Sequence, residues 1–109
     1  MSDQTSKARA LNDRLRSTFV GGSVLLSNGV ASLDDDARRR VLAAVRTFEA
    51  FSPDNDPYGE HDFGAVEIGG ERFLFKIDYY DRSLTAHSPD KADPAATTRV
   101  LTIMRADEY

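Results

Sequence analysis

The sequence predicts an α+β domain: a small, mostly antiparallel sheet of three or four strands, one main amphipathic helix packed on one face, and a short N-terminal helix. Three observations carry that reading. Apolar residues recur at three- and four-residue spacing between Ala37 and Phe51, the period of a helix with one buried face. Two stretches of alternating character flank Gly69-Gly70, the pattern of a β-hairpin. The chain has 109 residues, 40% hydrophobic and without cysteine, enough for one core that needs no covalent staple. Residues 1–109 are therefore expected to form a single domain, with 1–8 frayed.

Residues 4–18 mix charges with Ala8, Ala10, Leu11, Leu15 and Phe19, a sparse helical stripe beginning near Ser6. Gly21-Gly22 interrupts it, and Ser23 to Leu26 with Val30 reads as a short strand followed by a turn at Ser27-Asn28-Gly29. The main helix is expected over residues 33–51, with Ser32 as its cap and Ser52-Pro53 as its end. Asp34, Asp35 and Asp36 fall on its positive end, and Arg38, Arg39 and Arg40 follow at pairing distance. That charge run is explained by helix electrostatics alone. The hairpin spans residues 63–68 and 72–80, with Phe73, Phe75, Ile77 and Tyr79 on one face and Leu74, Lys76, Asp78 and Tyr80 on the other. Residues 81–93 are expected to be loop, with one short strand near Ser83 to Ala86. Residues 97–105 admit two readings: Asp93-Pro94 is a helix-start signal, while the β-branched alternation points to a closing strand, the reading adopted.

Charge is unevenly placed. Residues 47–71 hold seven Asp or Glu and no Lys or Arg, within a chain of net charge −4. Phosphate contact needs clustered Lys and Arg, so direct nucleic-acid binding is not expected. No apolar run approaches the roughly 20 residues that span a bilayer, and the polar N-terminus lacks a secretory pattern, so no membrane contact and a cytoplasmic location are expected. The lack of cysteine removes thiolate metal sites and cysteine nucleophiles. Neither Gly-Gly pair has the spacing of a phosphate-binding loop, and no Gly-x-Ser-x-Gly elbow occurs.

The residues most suited to chemistry or recognition lie at 54–64. Asp54, Asp56, Glu60 and Asp62 place four carboxylates around His61 in a loop shaped by Pro57 and Gly59. Calcium ligation is weakly supported, because Gly59 fits an EF-hand but the twelfth position is Ala65. Glu60, His61, Asp62 and Asp78 could form an acid/base or metal-dependent centre if the fold gathers them. The simplest reading is structural, since Asp side chains bond backbone amides in such turns. No cofactor and no metal are assigned.

Four strings, at residues 10–16 (ALNDRLR), 55–64 (NDPYGEHDFG), 76–81 (KIDYYD) and 97–104 (TTRVLTIM), resemble a bacterial family called domain of unknown function 3768. The resemblance runs from about residue 10 to 109. It implies a small proteobacterial protein often borne on plasmids or other mobile elements, and it brings no assigned activity or site.

The leading expectation is a non-enzymatic protein-binding module that contacts a partner with a basic surface through Asp54, Asp56, Tyr58, Glu60, His61 and Asp62. The mobile-element association narrows this to an inhibitor of a nucleic-acid-handling or defence complex. The alternative is a small enzyme centred on Glu60, His61, Asp62 and Asp78. A homodimer through the closing strand or the hairpin edge is a further expectation, because a small sheet must cover its edges.

Overall fold

The structure is a computed structural model that describes residues 3–109. Its elements in chain order are α1 (Asp3–Thr18), β1 (Ser23–Leu26), α2 (Asn28–Ala31), α3 (Asp35–Arg46), β2 (Phe63–Ile68), β3 (Glu71–Tyr80), β4 (Thr98–Arg105) and a closing 3-10 turn at Ala106–Glu108. The strands form one mixed sheet in the order β1-β4-β3-β2. The two hairpin-type pairings are antiparallel, and β1 runs parallel to β4. The α+β class and the four-stranded sheet agree with the sequence; the helices differ from it in number and length.

The N-terminal helix is the longest, at 16 residues, and it begins at Asp3 rather than near Ser6. The expected fraying falls partly on Met1 and Ser2, which lie outside the described residues. Its stripe looked sparse because two of the buried positions, Asn12 and Arg16, are polar. Asn28-Gly29 is not a turn between strands. Ser27 caps the short α2 there, accepting the Val30 N–H on its side chain.

The α3 helix is shorter than the periodicity suggested at both ends. Asp34, not Ser32, is the cap, with its side chain accepting the Ala37 N–H at 2.8 Å. The Asp and Arg runs pair as their spacing demands, Asp35 with Arg38 and Asp36 with Arg40. The helix stops at Arg46, seven residues before Pro53, because the guanidinium of Arg16 takes the carbonyls of Val45, Arg46 and Phe48 that would continue it. The released segment lets Phe48 and Phe51 turn edge-on to Phe75 and to each other.

The hairpin and the closing strand follow the sequence reading. Gly69 and Gly70 both have positive φ, the backbone that a tight two-residue hairpin turn requires. Gly64 must lack a side chain, because a Cβ there would sit 2.5 Å from the ring of Phe75. No strand forms at Ser83 to Ala86. The Asp81 carboxylate instead gathers Ser83 and Thr85 into a turn, which leaves only a bridge between Tyr80 and His87.

The core lies between the helices and one face of the sheet, where Leu15, Val30, Val41 and Val45 meet Phe73, Phe75, Ile77, Leu101 and Ile103. Because β4 sits inside the sheet, paired on both sides, it offers no edge. Dimerisation by pairing along the closing strand is therefore excluded. Replacing Asp34 by Ala should cost about 1 kcal/mol of stability, and Ser32→Ala less than about 0.5 kcal/mol, read as urea unfolding midpoints.

Candidate functional site

Four segments distant in sequence converge under α1. Asn12 is fully buried and joins three of them: its Nδ2 donates to the Glu60 carbonyl at 3.0 Å and to the Tyr79 hydroxyl at 2.7 Å, and its Oδ1 accepts from Arg99 Nε at 2.7 Å. The Tyr79 hydroxyl passes its own proton bond to Glu60 Oε1 at 2.8 Å, and Lys91 holds Glu60 Oε2 at 2.5 Å. Arg99 also donates to the Lys91 carbonyl, which ties the 81–97 loop to the same cluster. A buried carboxylate, an amide, a phenol and a guanidinium are thus mutually satisfied, as burial of such groups requires. Burial is the main cause that pushes the Tyr79 phenol well above its ordinary pKa, so Tyr79 remains a neutral donor to Glu60. Burial likewise lowers Arg99, which remains a cation.

Beginning at the next residue of α1 lies a second cluster. Asp13 Oδ1 accepts from His61 Nδ1 at 2.8 Å and from Arg16 at 3.1 Å. The other ring nitrogen of His61 lies 3.7 Å from Asp56 Oδ2, and the imidazole stacks on Phe51 with centroids 3.9 Å apart and planes 2° from parallel. His61 has φ +58, a left-handed backbone that costs a non-glycine residue on the order of 1 kcal/mol. The hydrogen bond to Asp13, the stack and the Asp56 clamp offset that strain. Asp56 Oδ1 accepts the N–H groups of Glu60 and His61 at 3.0 and 3.1 Å, which makes the loop a closed turn. Among the described residues, Arg16 Nε is the one buried side-chain nitrogen or oxygen without a hydrogen-bond partner, and its guanidinium lies over Phe51 and Phe75.

The residues singled out from the sequence therefore divide. Asp56 and Glu60 are buried and spent on internal bonds, and both nitrogens of His61 face carboxylates. Asp54 and Tyr58 are exposed. Asp62 is half-buried, and desolvation followed by the charges of Glu60 and Asp56 raises its carboxyl above the usual aspartate range. Asp78 is not brought to Glu60, His61 and Asp62. It lies on the opposite face of β3 from Tyr79, paired with Lys76 at 2.5 Å. His87 lines a separate cleft with Tyr79 and Lys91. Among the described residues, no group of three or more His, Asp or Glu side chains is placed to hold a metal ion.

Asn12, Asp13, Arg16, Lys91 and Arg99 escaped the sequence reading as site residues. The signal was present in phase rather than in motif. Asn12 and Arg16 fall on the buried stripe of α1 with Ala8 and Leu15, and Arg99 alternates in step with Leu101 and Ile103. A polar residue in core phase marks a buried polar contact.

Two clefts flank the Phe51–His61 stack. One, of about 360 Å³, is lined by Asp13, Arg16, Arg46 and Phe48; the other, of about 490 Å³, by Arg9, Pro53, Pro57 and Tyr58. Tyr58, which lines this second cleft, is 78% exposed.

Two substitutions test this arrangement. Asn12→Ala strips the buried amide from the Glu60 carbonyl, the Tyr79 hydroxyl and Arg99 Nε, although Tyr79 still donates to Glu60 and Arg99 to the Lys91 carbonyl, so urea unfolding should show a loss of about 3 kcal/mol. Asp62 binds its proton more tightly folded than unfolded, so its contribution to stability declines as pH rises above about 4. Asp62→Asn should melt above the wild type at neutral pH and converge with it in acid.

No curated protein and no solved structure matches the chain. A family model described as protein of unknown function (DUF3768) matches residues 26–108. Three of the four strings lie within that span, and residues 10–16, which supply Asn12, Asp13 and Arg16, lie before it. No helix among the described residues is long and apolar enough to cross a membrane. With most of its length matched, the chain belongs to the DUF3768 family.

Proposed function

We propose that the protein is a non-enzymatic binding module whose 52–62 loop docks a segment of a partner protein. The observation that carries the reading is Tyr58: a large amphipathic side chain, 78% exposed, on a loop closed by Asp56 and anchored at Glu60 and His61. An aromatic side chain held ready on a rigid support loses little entropy when it is covered, which is what makes tyrosine a frequent anchor of interfaces. The adjoining cleft, walled by Pro53, Pro57, Phe51 and Arg9, has room for a side chain of the partner.

The acidic block of the sequence contributes less outward charge than its composition suggests, since Glu60 is neutralised by Lys91 and Asp56 is turned inward. Asp54 and Glu49 remain exposed, and they favour a partner with Lys or Arg at the contact. The narrower reading, an inhibitor of a nucleic-acid-handling or defence complex, is supported by the family resemblance alone.

The test is affinity capture from the source cells with the wild type, Tyr58→Ala and Asp54→Asn as baits of matched melting temperature. A specific partner should be retained by the wild type, weakened about tenfold or more by Tyr58→Ala, and made less salt-sensitive by Asp54→Asn. Equal recovery by the wild type and Tyr58→Ala rules out this loop as the docking surface.

A further inference from the structure

Asn28 is exposed and is followed by glycine, the neighbour that leaves an asparagine side chain most open to the next backbone nitrogen, because no Cβ shields it. The fold itself demands that glycine. A Cβ at residue 29 would sit 2.6 Å from Glu108 Oε1 and 2.5 Å from Cδ of Arg105, so the closing turn seats against α2 only over a glycine. Glu108 then takes the Gly29 N–H on Oε2 at 3.0 Å, while its Oε1 accepts the Ser27 hydroxyl at 2.6 Å and the Arg105 N–H at 2.8 Å. The Ser27 bond, followed by those from Arg105 and Gly29, lowers the Glu108 carboxyl below its ordinary range, so Glu108 is a carboxylate acceptor at neutral pH. The Asn28 carbonyl is engaged as well, by the Ser32 N–H at 3.0 Å and the Ser32 hydroxyl at 2.7 Å.

We propose that Asn28 is a site of spontaneous deamidation that the Glu108 carboxylate holds in check. In the reaction the Gly29 nitrogen attacks Cγ of Asn28. The new N–Cγ bond forms as the Cγ–Nδ2 bond breaks, and ammonia leaves with the amide proton. Water then opens the five-membered imide at either carbonyl, giving aspartate or isoaspartate. Water is the one co-reactant, and nothing is oxidised or reduced. The attack requires the Asn28–Gly29 peptide to rotate out of helical ψ and its N–H to leave Glu108. Both are blocked while the turn is seated, so the rate follows the fraction of molecules in which it has opened. The change runs in one direction. It places a new carboxylate beside the N–H that Glu108 holds, and isoaspartate reroutes the main chain through Cγ, displacing the carbonyl that Ser32 bonds. The role given to Tyr58 has no part in this inference.

The experiment follows intact mass and peptide maps, with isoaspartate detection, during prolonged incubation in mildly alkaline buffer. The samples are the folded wild type, the wild type in urea, Glu108→Ala, Glu108→Gln, Asn28→Gln and Asp34→Ala, with folding checked by circular dichroism. Residue 28 should convert about a hundredfold faster in urea than in the folded wild type, and about tenfold faster in Glu108→Ala. Glu108→Gln, which keeps one oxygen acceptor, should fall between Glu108→Ala and the wild type, and it decides the point if the alanine variant folds poorly. Asp34→Ala weakens α3 without touching the turn and should react at close to the wild-type rate. Conversion as fast in the folded wild type as in urea overturns the proposal, and so does a Glu108→Ala rate no higher than the wild type's. Equal acceleration by Asp34→Ala overturns the local gate, because global unfolding then controls the reaction. A mass gain that persists in Asn28→Gln overturns the assignment to Asn28.

Discussion

The fold depends on one buried amide. Asn12 presents two donors and an acceptor to three other segments at once: the loop through Glu60, β3 through Tyr79 and β4 through Arg99. No apolar residue of that size could replace it without leaving the Glu60 carbonyl and Arg99 Nε short of their buried partner and taking a donor from the Tyr79 hydroxyl. Directional bonds also fix what hydrophobic contact leaves free. The register of α1 over the sheet is set by where Asn12 must sit, and the same register delivers Asp13, the next residue, to His61 and Arg16, one turn on, to the end of α3. The shortened helix, the extended segment carrying Phe48 and Phe51, and the closed loop are all consequences of that placement.

The loop shows how a fold redistributes charge. Four carboxylates in nine residues read as an acidic surface, yet two of them serve as internal acceptors, one for backbone amides and one for Tyr79 and Lys91. The outward face is left to Asp54, Tyr58 and the half-buried Asp62. The strained backbone at His61 is maintained because its ring is held on one side by Phe51 and on both nitrogens by carboxylates. The exposed Tyr58 thus sits on a loop whose titratable groups bond one another.

The sheet separates two surfaces with different characters. The helix-bearing side holds the polar clusters and the Tyr58 loop. The other side carries the Lys76–Asp78 pair, and the sheet has its edges at β1 and β2.

Periodicity determined the elements. The two-residue alternation of β3 and β4, the Gly-Gly turn and the helical stripe of α3 are local properties, written in neighbouring residues and enforced by backbone sterics and burial, and they survive into the structure with their boundaries shifted by a few residues. What sequence alone could not settle lies in contacts across dozens of positions. The end of α3 is decided by Arg16, 30 residues before Arg46, whose carbonyl it takes, and the capping of its start by Asp34 rather than Ser32 depends on α2 occupying Ser32. The parallel pairing of β1 with β4 joins segments more than 70 residues apart. The site was legible only in half: the 54–62 loop was visible as a cluster, but Asn12, Lys91 and Arg99 carry no local motif, and their meaning arises only when tertiary packing removes water and makes each of them the obligatory partner of the others.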